Sequence, residues 1–120
     1  MPSDSAKLGA LLVAVLFVVI VDVRDPIQAH KEARWAEDMK GDLRNLVVFE
    51  DQWQRDSGKY LTTVKPILRV QAGVHTPTVT LTSDGWTAVV GHDWTSRRCT
   101  VFVGTTPIAP ATRPREPECT

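Results

Sequence analysis

The chain carries few residues able to do chemistry. Cys99 and Cys119 are its only thiols and stand twenty positions apart. Cys99 falls in a segment that reads as a strand, whereas Cys119 closes a proline-rich tail, where an untethered terminus would normally be disordered. A bridge, two free thiols and a share in a metal set are the available chemistries. Two thiols without nearby histidines make a poor zinc set, and the placement favours a disulfide over free thiols. Such a bridge would contribute roughly 3 kcal/mol on the loop-entropy model and belongs in an oxidising compartment. His30, His75 and His92 are far apart and lack two-ligand spacing, so His92 reads as a structural or surface histidine. Asp84, Asp93 and Glu118 are carboxylates near the expected sheet, but no calcium-loop spacing joins them. A glycine-rich phosphate loop, His-Glu-x-x-His, a nucleophile elbow and CxxC are all absent. The expectation is a protein that is not an enzyme and holds no cofactor or metal. Trp35, Trp53, Trp86 and Trp94 read mostly as core or anchor residues, with a contact surface as the alternative for an exposed Trp94 beside Arg97 and Arg98.

The elements that position these residues follow from composition and pattern. At 120 residues the chain has the size of one modest domain, and 14 basic against 14 acidic residues leave no net charge. Binding nucleic acid through bulk charge is therefore not expected. Apolar residues make up 42% and charged ones 23%, ordinary values for a folded protein, but they are unevenly spread. Leu8, Gly9, Ala10, Leu11, Leu12, Val13, Ala14, Val15, Leu16, Phe17, Val18, Val19, Ile20 and Val21 form one uninterrupted apolar run. As a helix this run would span about 21 Å, against a hydrocarbon core of about 30 Å. Snorkelling of Lys7 and inclusion of Val23 would lengthen it. A cleaved signal is one reading, although Asp22-Val23-Arg24-Asp25-Pro26 makes a charged exit without a good cleavage site. A buried core helix is another, but so small a domain could hardly cover every face of it. The preferred reading is an uncleaved anchor over residues 1–25, continuous with a globular domain over residues 26–120. Charge counting alone would leave the C-terminal part inside, whereas a disulfide places it outside the cytoplasm.

Residues 26–55 read as a second helical stretch. Ile27 to Arg55 contains no proline and only Gly41, and is rich in good helix formers. Ala29, Ala33, Ala36, Met39, Leu43, Leu46 and Trp53 recur every three or four residues, with Val47 and Phe49 widening the stripe. Pro26 is expected to kink this helix against the apolar run. Arg34 with Asp38 and Asp51 with Arg55 are expected as i,i+4 pairs on the outer face. After Asp56-Ser57-Gly58 the pattern changes to strands. Val64–Val70 reads as an irregular or edge strand because of Pro66. Thr78–Thr82, a turn at Ser83-Asp84-Gly85, Trp86–His92, a loop over Asp93–Arg98 and Cys99–Val103 form an antiparallel meander. The fold class is therefore α+β, a long N-terminal helix packed on an antiparallel sheet of three or four strands lying within residues 60–104. Val79, Leu81, Ala88, Val90, Val101 and Val103 are the candidate sheet side of the core. Four prolines in residues 105–120 predict a tail without regular structure.

Taken together, a polar leader, an apolar helix ending near Pro26, a long amphipathic helix, an antiparallel sheet and a C-terminal cysteine loop resemble a type IV pilin or type II secretion pseudopilin. Local sequence resembles the family too. Met39-Lys40-Gly41-Asp42-Leu43-Arg44-Asn45-Leu46, Gln52-Trp53 and Asp56-Ser57-Gly58-Lys59-Tyr60 are similar to the exposed half of the pilin helix and the turn after it. Gly85-Trp86, Ala88, His92, Cys99, Gly104 and Glu116-Pro117-Glu118-Cys119 are similar to its sheet and disulfide loop. The resemblance implies a structural subunit held in the bacterial inner membrane, with a periplasmic domain, before it joins a pilus or pseudopilus or reaches the cell exterior. Its partners would be related subunits, packed helix on helix, with Gly9, Ala10 and Ala14 offering a small-residue face. Aligned on Pro26, Asp4 precedes the usual cleavage point, Ser5 takes the place of the new N-terminal Phe or Met, and Gly9 that of the helix glutamate. Those departures fit a minor or tip subunit, or an unprocessed anchored relative. The alternative is a secreted or anchored ligand-binding or adhesive domain behind a cleaved signal peptide.

Overall fold

The structure, a computed structural model, describes the backbone of residues 2–120 and the side chains of residues 26–120. It is α+β: one helix, α1 (Pro2–Ser57), and four strands, β1 (Thr78–Leu81), β2 (Trp86–His92), β3 (Thr95–Val103) and β4 (Glu118–Cys119). The chain forms two units, residues 1–33 and residues 34–120. The first is helical, with Pro26 inside the helix and a Gln28 to Glu32 side-chain hydrogen bond one turn further on. The side chains of Leu8 to Val21 lie outside the described residues. Among the described residues no helix is long and apolar enough to cross a membrane.

In the second unit, α1 contributes a stripe of Ala36, Met39, Leu43, Leu46 and Val47, all buried. Their spacing of three and four puts them on one face, as the sequence predicts. Ala29 and Ala33, by contrast, are exposed. Trp53 also departs from the expected stripe, being partly exposed and stacked on Phe49. Neither expected outer-face pair forms. Asp51 pairs instead with Arg115, a partner that tertiary structure brings from the tail, and Arg55 donates to Gln52 three residues earlier on the same helix. The helix ends where Gly58 adopts φ 77° and its N–H donates to the Gln54 carbonyl at 2.8 Å, an αL cap that glycine accommodates without strain.

The sheet order is β1-β2-β3-β4, antiparallel throughout. Met39, Leu43, Leu46 and Val47 of α1 pack with Trp86, Ala88, Val90, Val101 and Val103. Burying these side chains is the main stabilising contribution, at about 1.5–3 kcal/mol for each large one. Leu81 is a correction: it is 53% exposed, because it ends the short edge strand where cover on that side stops. Val64–Val70 is a second correction. It forms a turn, with Ile67 and Leu68 N–H donating to the Val64 carbonyl, and the sheet begins only at Thr78. Pro66 removes one ladder donor, and helix carboxylates take others from the surrounding loop.

The β2–β3 connection is tighter than a loop over Asp93–Arg98. His92 pairs directly with Thr95, so Asp93 and Trp94 alone make the turn. The tail also departs from expectation. Its Glu118 and Cys119 form β4, paired with Thr100 and Cys99. Upstream, the tail covers the back face of β3. Thr100 Oγ1 donates to the Ile108 carbonyl and accepts from the Ala111 N–H, and the Arg115 N–H donates to the Phe102 carbonyl. Thr100, Phe102 and Ala111 are accordingly buried. The prolines prevent a long strand yet allow a close-fitting strap.

Candidate functional site

Cys99 and Cys119 are disulfide-bonded and stand opposite each other in the β3–β4 ladder. Both sulfurs lie 3.8–3.9 Å from the Ala36 carbonyl oxygen, so the bridge rests on the helix backbone where the alanine leaves room. Its role is structural: it anchors the strap that covers the back of the sheet.

Three carboxylates act on backbone N–H groups. On the buried face of α1, the Glu50 carboxylate accepts from the Leu61 N–H at 3.0 Å, and Asp42 accepts from the Gln71 N–H at 2.9 Å. The Gln71 amide then donates to the Asp38 carbonyl. Residues 61–71 therefore run antiparallel to the helix, pinned at both ends. Burial pushes both carboxyl groups above their ordinary values, and the accepted N–H bonds offset only part of that shift. These two residues were not singled out from the sequence, although polar side chains at positions 42 and 50 on an otherwise apolar stripe were a readable signal. Asp84, exposed in the β1–β2 turn, accepts from the hydroxyl and N–H of Thr105, which hold its carboxyl below its ordinary value. Asp84 and Asp93 sit at opposite ends of β2, and Glu118 lies in β4, so the structure does not bring these three carboxylates together.

His92 is buried between Trp35 and Trp94, with ring centroids 5.6 and 5.2 Å away. Its Nδ1 accepts from the Trp94 N–H at 3.1 Å, which in the neutral ring leaves the proton on Nε2. That Nε2 is buried and has no hydrogen-bond partner among the described residues. The ring fits only because residue 73 is glycine. Gly73 has φ 82°, and a Cβ there would lie 2.5 Å from His92 Cε1. His92 is thus a packing residue. Trp94 is 56% exposed on the outer side of this cluster. His75 and His92 are brought near each other by the Val74–His92 bridge, while His75 Nε2 meets the Asp93 carboxylate at 2.6 Å.

A cleft of about 470 Å³ lies on the back of the sheet. Val89 and Gly91 of β2 line it, with Thr78 from β1, His75 before β1, and Ser96 and Arg98 from β3. Its walls are polar and include no carboxylate. Of the residues that line it, the sequence reading singled out His75, His92 and the Arg97–Arg98 pair. Gly91 was the available clue, since a glycine inside a strand marks a bulge or a close approach.

Cys99 and Cys119 are joined as expected, the side chains of Leu8 to Val21 lie outside the described residues, and Pro26 lies inside α1. No family model, curated protein or solved structure matches the chain.

Proposed function

We propose that the chain is a non-enzymatic structural subunit of a type IV pilus or a type II secretion pseudopilus, in a minor or tip position. The observation that supports this reading most is the combination of one long helix, a four-stranded antiparallel meander packed on its C-terminal half, and a last strand bridged back to the sheet. The apolar run Leu8 to Val21 supplies the assembly helix and, lengthened by Val23 and by snorkelling of Lys7, serves as an inner-membrane anchor before assembly. The disulfide supports a location for the sheet on the oxidising side of that membrane. With Gly9 in place of a helix glutamate, the chain contributes no carboxylate there to pair with a neighbour's amine, which suits a subunit at a filament end.

Two measurements test the proposal. Mass spectrometry of the mature protein is expected to give an N-terminus that retains Leu8 to Val21. A start near His30 would remove the assembly helix and overturn the reading. Imaging of cells with and without the chain is expected to show fewer or shorter filaments in its absence. A second reading, a ligand-binding domain that is anchored or secreted, is favoured by the polar cleft.

A further inference from the structure

The back-face cleft has the features of a built site. Between the pairs Val90–Cys99 and His92–Thr95, the single residue Gly91 on β2 faces Ser96, Arg97 and Arg98 on β3. This bulge spreads β3 at the cleft, and bulges of this kind re-aim side chains beside binding sites. Gly91 has no positive φ to demand glycine, and a Cβ there would meet His75 Nδ1 at 3.1 Å. The missing side chain therefore leaves floor space. The backbone of Arg98 is fixed on both sides, its N–H donating to Thr120 Oγ1 and its carbonyl accepting from the Thr120 N–H. The Arg97 guanidinium is committed to the Thr120 carbonyl at 2.7 Å. That of Arg98 makes no hydrogen bond or ion pair among the described residues. A fixed backbone carrying an uncommitted guanidinium, beside hydroxyls and without a carboxylate wall, suits an oxyanion.

We propose that this cleft binds a small hydroxyl-bearing molecule with an acid group, with Arg98 taking the oxyanion and Thr78 and Ser96 the hydroxyls. An acidic monosaccharide is the simplest member of that class, and the volume suits one. The proposal is independent of filament assembly: a chain that fails to assemble can still bind.

The test is a ¹H–¹⁵N titration of the full-length chain in detergent micelles with glucuronate, inorganic phosphate and glucose. Glucuronate is expected to shift the Thr78, Gly91, Ser96 and Arg98 amides saturably, phosphate to do so more weakly, and glucose not at all. Arg98→Gln is expected to weaken glucuronate binding about tenfold or more, the scale of one lost charge-assisted contact. Because that side chain is exposed and makes no internal bond, the remaining spectrum serves as the folding control. Thr78→Val is expected to weaken glucuronate more than phosphate. Equal responses to glucuronate and glucose, unchanged affinity in Arg98→Gln, or equal shifts around Arg69 and Arg113 outside the cleft would each overturn the proposal.

Discussion

Gly73 shows how much one missing Cβ can decide. Its φ of 82° strains any L side chain, and the only direction open to a methyl group is occupied by the His92 ring. Gly73→Ala is expected to cost about 2 kcal/mol or more, read as a lower urea midpoint with an unchanged m-value. It should also change the fluorescence of Trp35 and Trp94, which pack on the displaced ring.

The buried carboxylates carry a pH dependence whose sign is opposite to that of an ordinary ion-paired acid. Glu50 titrates above its ordinary 4.5 in the folded state, so the folded chain holds a proton that the unfolded chain has already released. Stability attributable to Glu50 therefore falls as pH rises from about that value towards neutrality, and Asp42 adds to the same trend from its ordinary 3.8. Glu50→Gln keeps an acceptor for the Leu61 N–H without the charge. It is expected to flatten the decline between pH 4 and 7, measured by urea unfolding at each pH. Glu50→Ala leaves that half-buried N–H without its side-chain partner and is expected to destabilise at every pH by about 1–3 kcal/mol. Asp84 runs the other way: its contribution is present above 3.8 and fades as pH falls below it.

Among the elements, the helix stripe from Ala36 to Val47 and the hairpin Thr78–His92 were legible because each follows its period over several repeats. Three features were not. The 61–71 segment takes its path from Asp42 and Glu50 on a helix more than ten residues earlier, a long-range effect that local composition does not carry. The Asp51–Arg115 pair joins residues 64 positions apart for the same reason. Strand β4 is only two residues long, too short for alternation to reveal it, and its position is fixed by the bridge to Cys99. The bridge and its tethering of the tail to the sheet were legible, but the β4 pairing and the cover of the back of β3 were not. Of the cleft, the arginines could be read, whereas the bulge that gathers them opposite Gly91 is a property of strand pairing.

The strap gives the element-scale prediction. Replacing both cysteines by serine, or reducing the native bridge, is expected to lower stability by about 3 kcal/mol for this loop length. Loss should begin at the back of the sheet. Amide exchange at Arg115 and Ala111, whose N–H groups bond Phe102 and Thr100, is expected to accelerate before that of Val90 or Val101 in the core.

At the scale of the whole molecule, residues 34–120 share one hydrophobic core from Met39 to Val103. Hydrogen exchange is expected to give Leu43, Val90 and Val101 one common opening free energy, the mark of a single cooperative unit. Residues 27–31 have exposed side chains and should exchange by local opening at a far lower free energy. A graded series of opening energies across Leu43, Val90 and Val101 would show instead that helix and sheet open separately.

The covalent ring closed at Cys99 and Cys119 also sets how the molecule answers force. Tension entering along α1 loads the packing of the helix on the sheet, whereas the residues between the two cysteines, which stand twenty positions apart, cannot lengthen. Stretched between its ends with the sulfurs joined, the unfolded chain falls short of its full contour by roughly 70 Å, the extended reach of those residues. A reducing agent releases that hidden length in one step.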